Sequence, residues 1–258
     1  RLHHRHGRAG RLGAQPVMRW CLPLMLAAGL GLAAAQGLGE TPANVATGPR
    51  LILVGDSTMA PRSGYGNQLC ERFQQVACLN LARGGRSTKS YRAEGLWDTV
   101  LQLLNEKGAP QKNLVLLQLG HNDQPGKPGR STDLATEFGP NLTVYVREVK
   151  ATGAEIILIT PLTRRSFKDG LLANDLRPWA EAVMRVAEAE QVPVLDLNAL
   201  SHAAVQALGQ AEADTLAEAP PRFDRTHLGP KGAALFADMV AEGLLKLRPA
   251  LQAAQTLR

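Results

Sequence analysis

"LILVGDSTMAP", residues 51–61, decides the fold. Leu51 to Val54 form a short apolar run without polar alternation, the pattern of a strand covered on both faces. It ends in Gly55, Asp56, Ser57 and Thr58, an acid and two hydroxyls that a buried strand does not need for itself. Four further runs share the pattern: "VACLNLA" from Val76, "LVLLQLG" from Leu114, "EIILIT" from Glu155 and "VPVLDLN" from Val192. Between and after them lie stretches with helical spacing, namely "LWDTVLQLLN" from Leu96, "LRPWAEAVMRVAEAEQ" from Leu176 and "GAALFADMVAEGLLKL" from Gly232. Strand and helix alternate through the chain, which predicts an α/β fold with a parallel sheet and helices on both faces. In such sheets ligands gather at the carboxyl ends of strands. Ser57 stands at one predicted end and "GHND", residues 120–123, at another.

The 258-residue chain, 45% hydrophobic, can fill one substantial core. Its formal charge of +6 comes mostly from Arg1, Arg5, Arg8, Arg11 and Arg19; without them 24 basic residues face 23 acidic ones. A nearly neutral body argues against a nucleic-acid partner. Residues 1–17 read as an upstream extension, spurious or basic, and 18–35 as a signal peptide: Met18, Arg19 and Trp20, the apolar run Cys21 to Ala35, and a small-x-small pattern at Ala33 and Ala35. That run of 15 residues is shorter than the roughly 18 to 20 of a membrane span. Residues 36–49 read as a linker, 50–248 as the domain and 249–258 as a tail. The expectation is export to a periplasm or the medium, no membrane contact once the leader is cut, and a monomer. Past the leader Cys70 and Cys78 remain, an even pair that in an oxidising compartment invites a disulfide, with two buried thiols as the alternative.

Ser57 is a candidate nucleophile only if a base can reach it. No G-x-S-x-G elbow occurs, so a lipase-type α/β-hydrolase is disfavoured. The histidines beyond the leader are His121, His202 and His227. His202 reads as an ordinary helix residue, and His121 could serve as a base. His227, in "FDRTHLGPKG", follows Asp224 by three residues, which places a carboxylate where it can orient the imidazole and stabilise its cation. Gly84 and Gly85 in "ARGGRSTKSY" offer backbone N–H groups for close approach, and Asn122 offers a side-chain amide. Asp56 and Asp123 read as acceptors for loop N–H groups. No metal or organic cofactor is expected, since no H-E-x-x-H or Cys-His cluster occurs.

"GDST", "GGRS", "GHND" and "DRTH", in this order over residues 55–227, resemble the motifs of the SGNH hydrolases, also called GDSL esterases. The resemblance implies a flavodoxin-like three-layer α/β/α sandwich with a five-stranded parallel sheet. It implies Ser57 as nucleophile, His227 as base, Asp224 as its orienting acid, and an oxyanion hole of the Ser57 and Gly85 N–H groups with the Asn122 side chain. "GDSTMA", "GGRSTKSY", "GHNDQ" and "PLTRRSF" are similar to the rhamnogalacturonan acetylesterase branch, which deacetylates plant cell-wall polysaccharide. Members of that branch can carry a disulfide where Cys70 and Cys78 fall. Tyr65 stands where relatives usually have Trp, a departure expected to touch packing rather than chemistry. Arg86, Arg164 and Arg165 are expected to pair galacturonate carboxylates. The rival readings are an SGNH esterase, thioesterase or lysophospholipase for lipid-like acyl groups, and a non-catalytic flavodoxin-like binding module. "GHNDQPGKP" departs from a phosphate loop, with five residues between its first two glycines and Pro128 where Ser or Thr should stand.

Overall fold

The computed structural model describes residues 50–106 and 112–255. The expected extension, leader and linker, residues 1–49, lie outside the described residues. Strands β1 (Arg50–Gly55), β2 (Cys78–Asn80), β3 (Asn113–Gln118), β4 (Glu155–Ile159) and β7 (Val194–Leu195) form one five-stranded sheet in the order β2-β1-β3-β4-β7. All four pairings are parallel. This is the flavodoxin-like order, with its crevice beside the first strand. Each expected strand is present, though β7 is only two residues long. Strands β5 (Phe167–Lys168) and β6 (Leu171–Leu172) form a separate antiparallel hairpin that no apolar run in the sequence marks.

Alternation along the strands splits the apolar side chains between two cores. Leu51, Leu53, Leu114, Leu116, Ile157 and Ile159 face one layer, which includes α1 (Gly66–Glu71) and α7 (Pro230–Leu247). Ile52, Val54, Val115, Leu117, Ile156 and Leu158 face the other, with α2 (Ser90–Ala93), α3 (Leu96–Leu104), α4 (Gly139–Ala151) and α5 (Arg177–Glu190). A strand buried on both faces must be apolar at every position, which is why these runs do not alternate. The helix α6 (Leu197–Asp214) follows β7 directly. The domain runs past residue 248, where a tail was expected: Pro249–Ala254 form a 3-10 helix that buries Leu251 and Ala254 in the first core. Among the described residues no helix is long and apolar enough to cross a membrane.

The register sets the site. Gly55 lies opposite Gln118, so β1 and β3 end level and their loops leave the sheet side by side. Cys70 and Cys78 are joined as a disulfide, Cα to Cα 5.5 Å, tying α1 to the start of β2.

Candidate active site

The chain turns sharply after β1. The Met59 and Ala60 N–H groups donate to the Asp56 carbonyl, and Asp56 Oδ1 accepts from the Thr58 N–H at 2.9 Å and its hydroxyl at 2.8 Å. That turn lifts Ser57 to the rim while Asp56 and Thr58 stay fully buried. The second half of the site comes from the loop before α7. Asp224 Oδ1 accepts the N–H groups of Thr226 and His227, both at 2.7 Å, and this closed turn aims the imidazole. Pro230 then opens α7 at a position where no donor is needed. Leu228 N–H donates to the Ser63 carbonyl at 2.9 Å, and the Ser63 hydroxyl donates to the Ser57 carbonyl at 2.6 Å. Two loops 170 residues apart in the chain are thereby held together.

Between them His227 Nε2 lies 2.9 Å from Ser57 Oγ, and His227 Nδ1 lies 2.8 Å from Asp224 Oδ2. Burial pushes the Asp224 carboxyl up, but hydrogen bonds from His227 and Thr226 outweigh it and leave the group below its ordinary range. It is therefore ionised near neutral pH, as a carboxylate that supports an imidazolium must be.

The donor side is equally compact. A Cβ placed on Gly84 would sit 3.7 Å from the Ser57 Cβ, so this loop abuts the serine. Gly85 has φ 77°, a conformation L side chains rarely adopt, and neither its N–H nor that of Ser57 has an intramolecular acceptor among the described residues. Asn122 is buried, its Nδ2 donating one hydrogen to the Arg86 carbonyl at 3.1 Å and keeping a second free. Arg130, which no motif singles out, donates to Asn122 Oδ1 at 3.3 Å and to the Gly85 carbonyl at 3.4 Å. It braces both donor loops and fixes which way the Asn122 amide points.

Beneath the serine lies a buried polar chain. Tyr65 donates its hydroxyl to Gln118 Oε1 at 2.9 Å, Gln118 Nε2 donates to the Thr58 hydroxyl at 2.5 Å, and Thr58 leads to Asp56. Tyr65 thus does more than pack, for its hydroxyl anchors this chain. Asp56 Oδ2 faces His121 Nδ1 at 3.3 Å, an ion-pair distance without hydrogen-bond alignment. Burial pushes Asp56 up, and the charge of the facing His121 together with the Thr58 donors brings it below its ordinary value. His121 is buried in this contact and remote from the role of base. Asp123 accepts from the Thr88 N–H and hydroxyl and from the Thr132 hydroxyl, fastening "RST", residues 86–88, to "GHND". Burial outweighs these donors and raises its carboxyl to about 6.

The three arginines expected at the substrate are all engaged inside the protein. Arg86 pairs with Glu94 at 2.6 Å and donates to the Gly84 carbonyl at 2.7 Å. Arg164 meets Asp175 at 2.9 Å, Gln124 at 2.7 Å and the Thr226 hydroxyl at 3.2 Å. Arg165 is 0% exposed, which excludes contact with a polysaccharide. Its guanidinium donates to the carbonyls of His227 at 2.5 Å, Asp224 at 3.2 Å and Thr226 at 3.4 Å, and the Arg165 backbone N–H donates to the Arg225 carbonyl at 2.8 Å. It is the brace of the Asp224–His227 loop. His202 sits on α6, one ring nitrogen 3.2 Å from the Leu172 carbonyl.

Fold and site together define the class: this is a carboxylic ester hydrolase on the SGNH sandwich. The chain belongs to the GDSL-like lipase/acylhydrolase family, whose model matches residues 45–235. It is similar to a rhamnogalacturonan acetylesterase of Bacillus subtilis (strain 168), 31% identical over 77% of this chain and 90% of that one. A fungal rhamnogalacturonan acetylesterase, from Emericella nidulans, is 24% identical over 73% of this chain and 81% of its own length. Among solved structures, the Bacillus subtilis protein YXIM superposes with TM-score 0.66 at 26% identity, covering 77% of this chain and 56% of that longer one. An acetylxylan esterase of Geobacillus stearothermophilus, at 18% identity and TM-score 0.55 over 77% and 93% of the two chains, shares the fold.

Proposed function

We propose that this protein is a serine esterase that removes O-acetyl groups from plant cell-wall polysaccharide, rhamnogalacturonan foremost, through an acetyl-enzyme. The observation that carries the reading is the unbroken series Ser57 Oγ, His227, Asp224 at 2.9 and 2.8 Å. The likeness to a rhamnogalacturonan acetylesterase over most of both chains supports the substrate.

In this reading His227 Nε2 takes the Ser57 proton as Oγ attacks the acetyl carbonyl. The negative charge that develops on the carbonyl oxygen meets the Ser57 and Gly85 N–H groups and the free Asn122 Nδ2 hydrogen, each donor worth on the order of 3 kcal/mol. Collapse expels the sugar oxygen, which receives its proton from His227. Water, deprotonated by the same imidazole, then releases acetate and restores Ser57. Asp224 holds the imidazole in one tautomer throughout and stays ionised. The protein acts after export, as a monomer in the periplasm or outside the cell.

Two measurements test this reading. A fluorophosphonate probe labels the wild type and fails to label Ser57→Ala; a folded wild type that takes no label removes the nucleophile. Rates on p-nitrophenyl acetate, butyrate and octanoate fall in that order. A preference for octanoate moves the substrate to lipid-like esters.

A further inference from the structure

A groove of about 700 Å³ opens beside the serine. Its wall runs through Ser63, whose hydroxyl holds the Ser57 carbonyl, and through Gly84, which abuts Ser57 itself. That size suits a bound small molecule or a few sugar units. The floor is largely apolar, with Leu81, Ala82, Tyr91 and Leu96, and no acidic residue lines it.

Two arginines stand at its edges. Arg62 precedes Ser63, and Arg83 precedes Gly84, its backbone N–H donating to the Gly55 carbonyl at 2.9 Å. Each is therefore one residue from a group that touches the serine's loop. Both are exposed, and among the described residues neither guanidinium has an ion pair or a side-chain hydrogen bond. Their setting differs from that of Arg86, Arg164 and Arg165, which are satisfied within the fold. The body of the chain is close to neutral, so two uncompensated cations on one acid-free groove are a local feature and not a share of a general positive surface. The next groove, across Arg62, is lined by Glu71 and Glu218 and lacks this character.

We propose that this groove is a subsite for an anionic sugar, a uronate of the chain being deacetylated, with Arg62 and Arg83 taking its carboxylate. The inference rests on the esterase reading above and names where the acidic character of the substrate is recognised. A guanidinium fork matches a carboxylate in two parallel hydrogen bonds. The apolar floor suits the C–H face of a pyranose ring. A uronate held there sets a neighbouring sugar's acetyl group over Ser57, so the arginines favour acidic glycans without touching the reacting atoms.

The test is the ratio of kcat/KM on acetylated rhamnogalacturonan to that on acetylated glucomannan, a neutral polymer, at low salt. Arg62→Gln and Arg83→Gln each lower the ratio about tenfold and together about a hundredfold, through KM, as expected for one charge-assisted contact apiece. Arg83→Lys recovers part of its loss, since charge returns without the fork. Both side chains are exposed, and coincident thermal unfolding shows each variant folded. A wild type active on both polymers, with a ratio the double variant leaves unchanged, overturns the subsite alone. A wild type that hydrolyses p-nitrophenyl acetate but frees acetate from neither polymer overturns the polysaccharide reading beneath it.

Discussion

Replacing Arg165 by Met separates a brace from a substrate ligand. The change keeps an unbranched side chain of similar length in a fully buried position and removes the donors to the His227, Asp224 and Thr226 carbonyls. One short and two longer charge-assisted bonds make a gross loss of about 5 kcal/mol. Part of that is returned, because burial pulls the Arg165 guanidinium well below its ordinary value, to about 10, with Asp224 and Asp214 partly opposing it. A shift of that size corresponds to roughly 3 kcal/mol of desolvation that an apolar side chain does not suffer. The net destabilisation is about 2 kcal/mol, or a Tm fall of about 4–8 °C for a domain of this size. A loosened loop also misplaces His227, and a misplacement of about 1 Å reduces turnover about a hundredfold. The assay pairs thermal unfolding with kcat and KM on acetylated rhamnogalacturonan and glucomannan. We expect lower Tm, lower kcat on both, and KM little changed on either. An unaltered Tm with KM raised only on the acidic polymer would refute the reasoning and return Arg165 to the substrate.

Asn122→Ala removes one of the three donors aimed at the developing oxyanion, and kcat on p-nitrophenyl acetate should fall about 10²–10³-fold with KM nearly constant; a change confined to KM would deny the donor role. Asp123 titrates at about 6 when folded and near 3.8 when unfolded. The folded state therefore holds the proton longer, and the contribution of this group to stability is present below the unfolded value and lost as pH rises through the folded one. That loss is on the order of 3 kcal/mol, and urea unfolding at pH 4, 5.5 and 7 should show it in the wild type but not in Asp123→Asn; parallel pH profiles would contradict it. Reducing the Cys70–Cys78 disulfide, whose partners are 8 residues apart, should destabilise by about 2 kcal/mol without altering kcat below the unfolding range, because the bond ties α1 to β2 and touches no site residue.

The fold was legible because doubly buried strands leave an unambiguous trace: runs such as Leu51–Val54 and Leu114–Leu117 are apolar on both faces. The helix α4 left a weaker one. Leu142, Tyr145, Val146 and Val149 have helical spacing, but the β-branched and aromatic content of "TVYVREV" reads equally as strand. The hairpin at 167–172 is too short for any periodicity, and the final 3-10 helix buries only Leu251 and Ala254 of its six residues. At the site, Ser57, Asp224 and His227 could be read from local motifs, since each sits in a turn that its neighbours encode. The arginines could not. Whether Arg165 lies beneath the Asp224–His227 loop or Arg83 faces solvent depends on which partners come together from distant segments, as Arg165 and His227 do across 62 residues. Arg130 escaped notice for the same reason, its bonds to Gly85 and Asn122 being set by the packing of two loops.

The central claim is that Ser57 is the nucleophile for deacetylation of a cell-wall polysaccharide. Acetate released from acetylated rhamnogalacturonan, measured for the wild type and for folded Ser57→Ala, tests it most directly. The account predicts steady release by the wild type and a fall of about 10³-fold or more in the variant. Equal release by the two proteins, or none from a wild type that still hydrolyses p-nitrophenyl acetate, would contradict it.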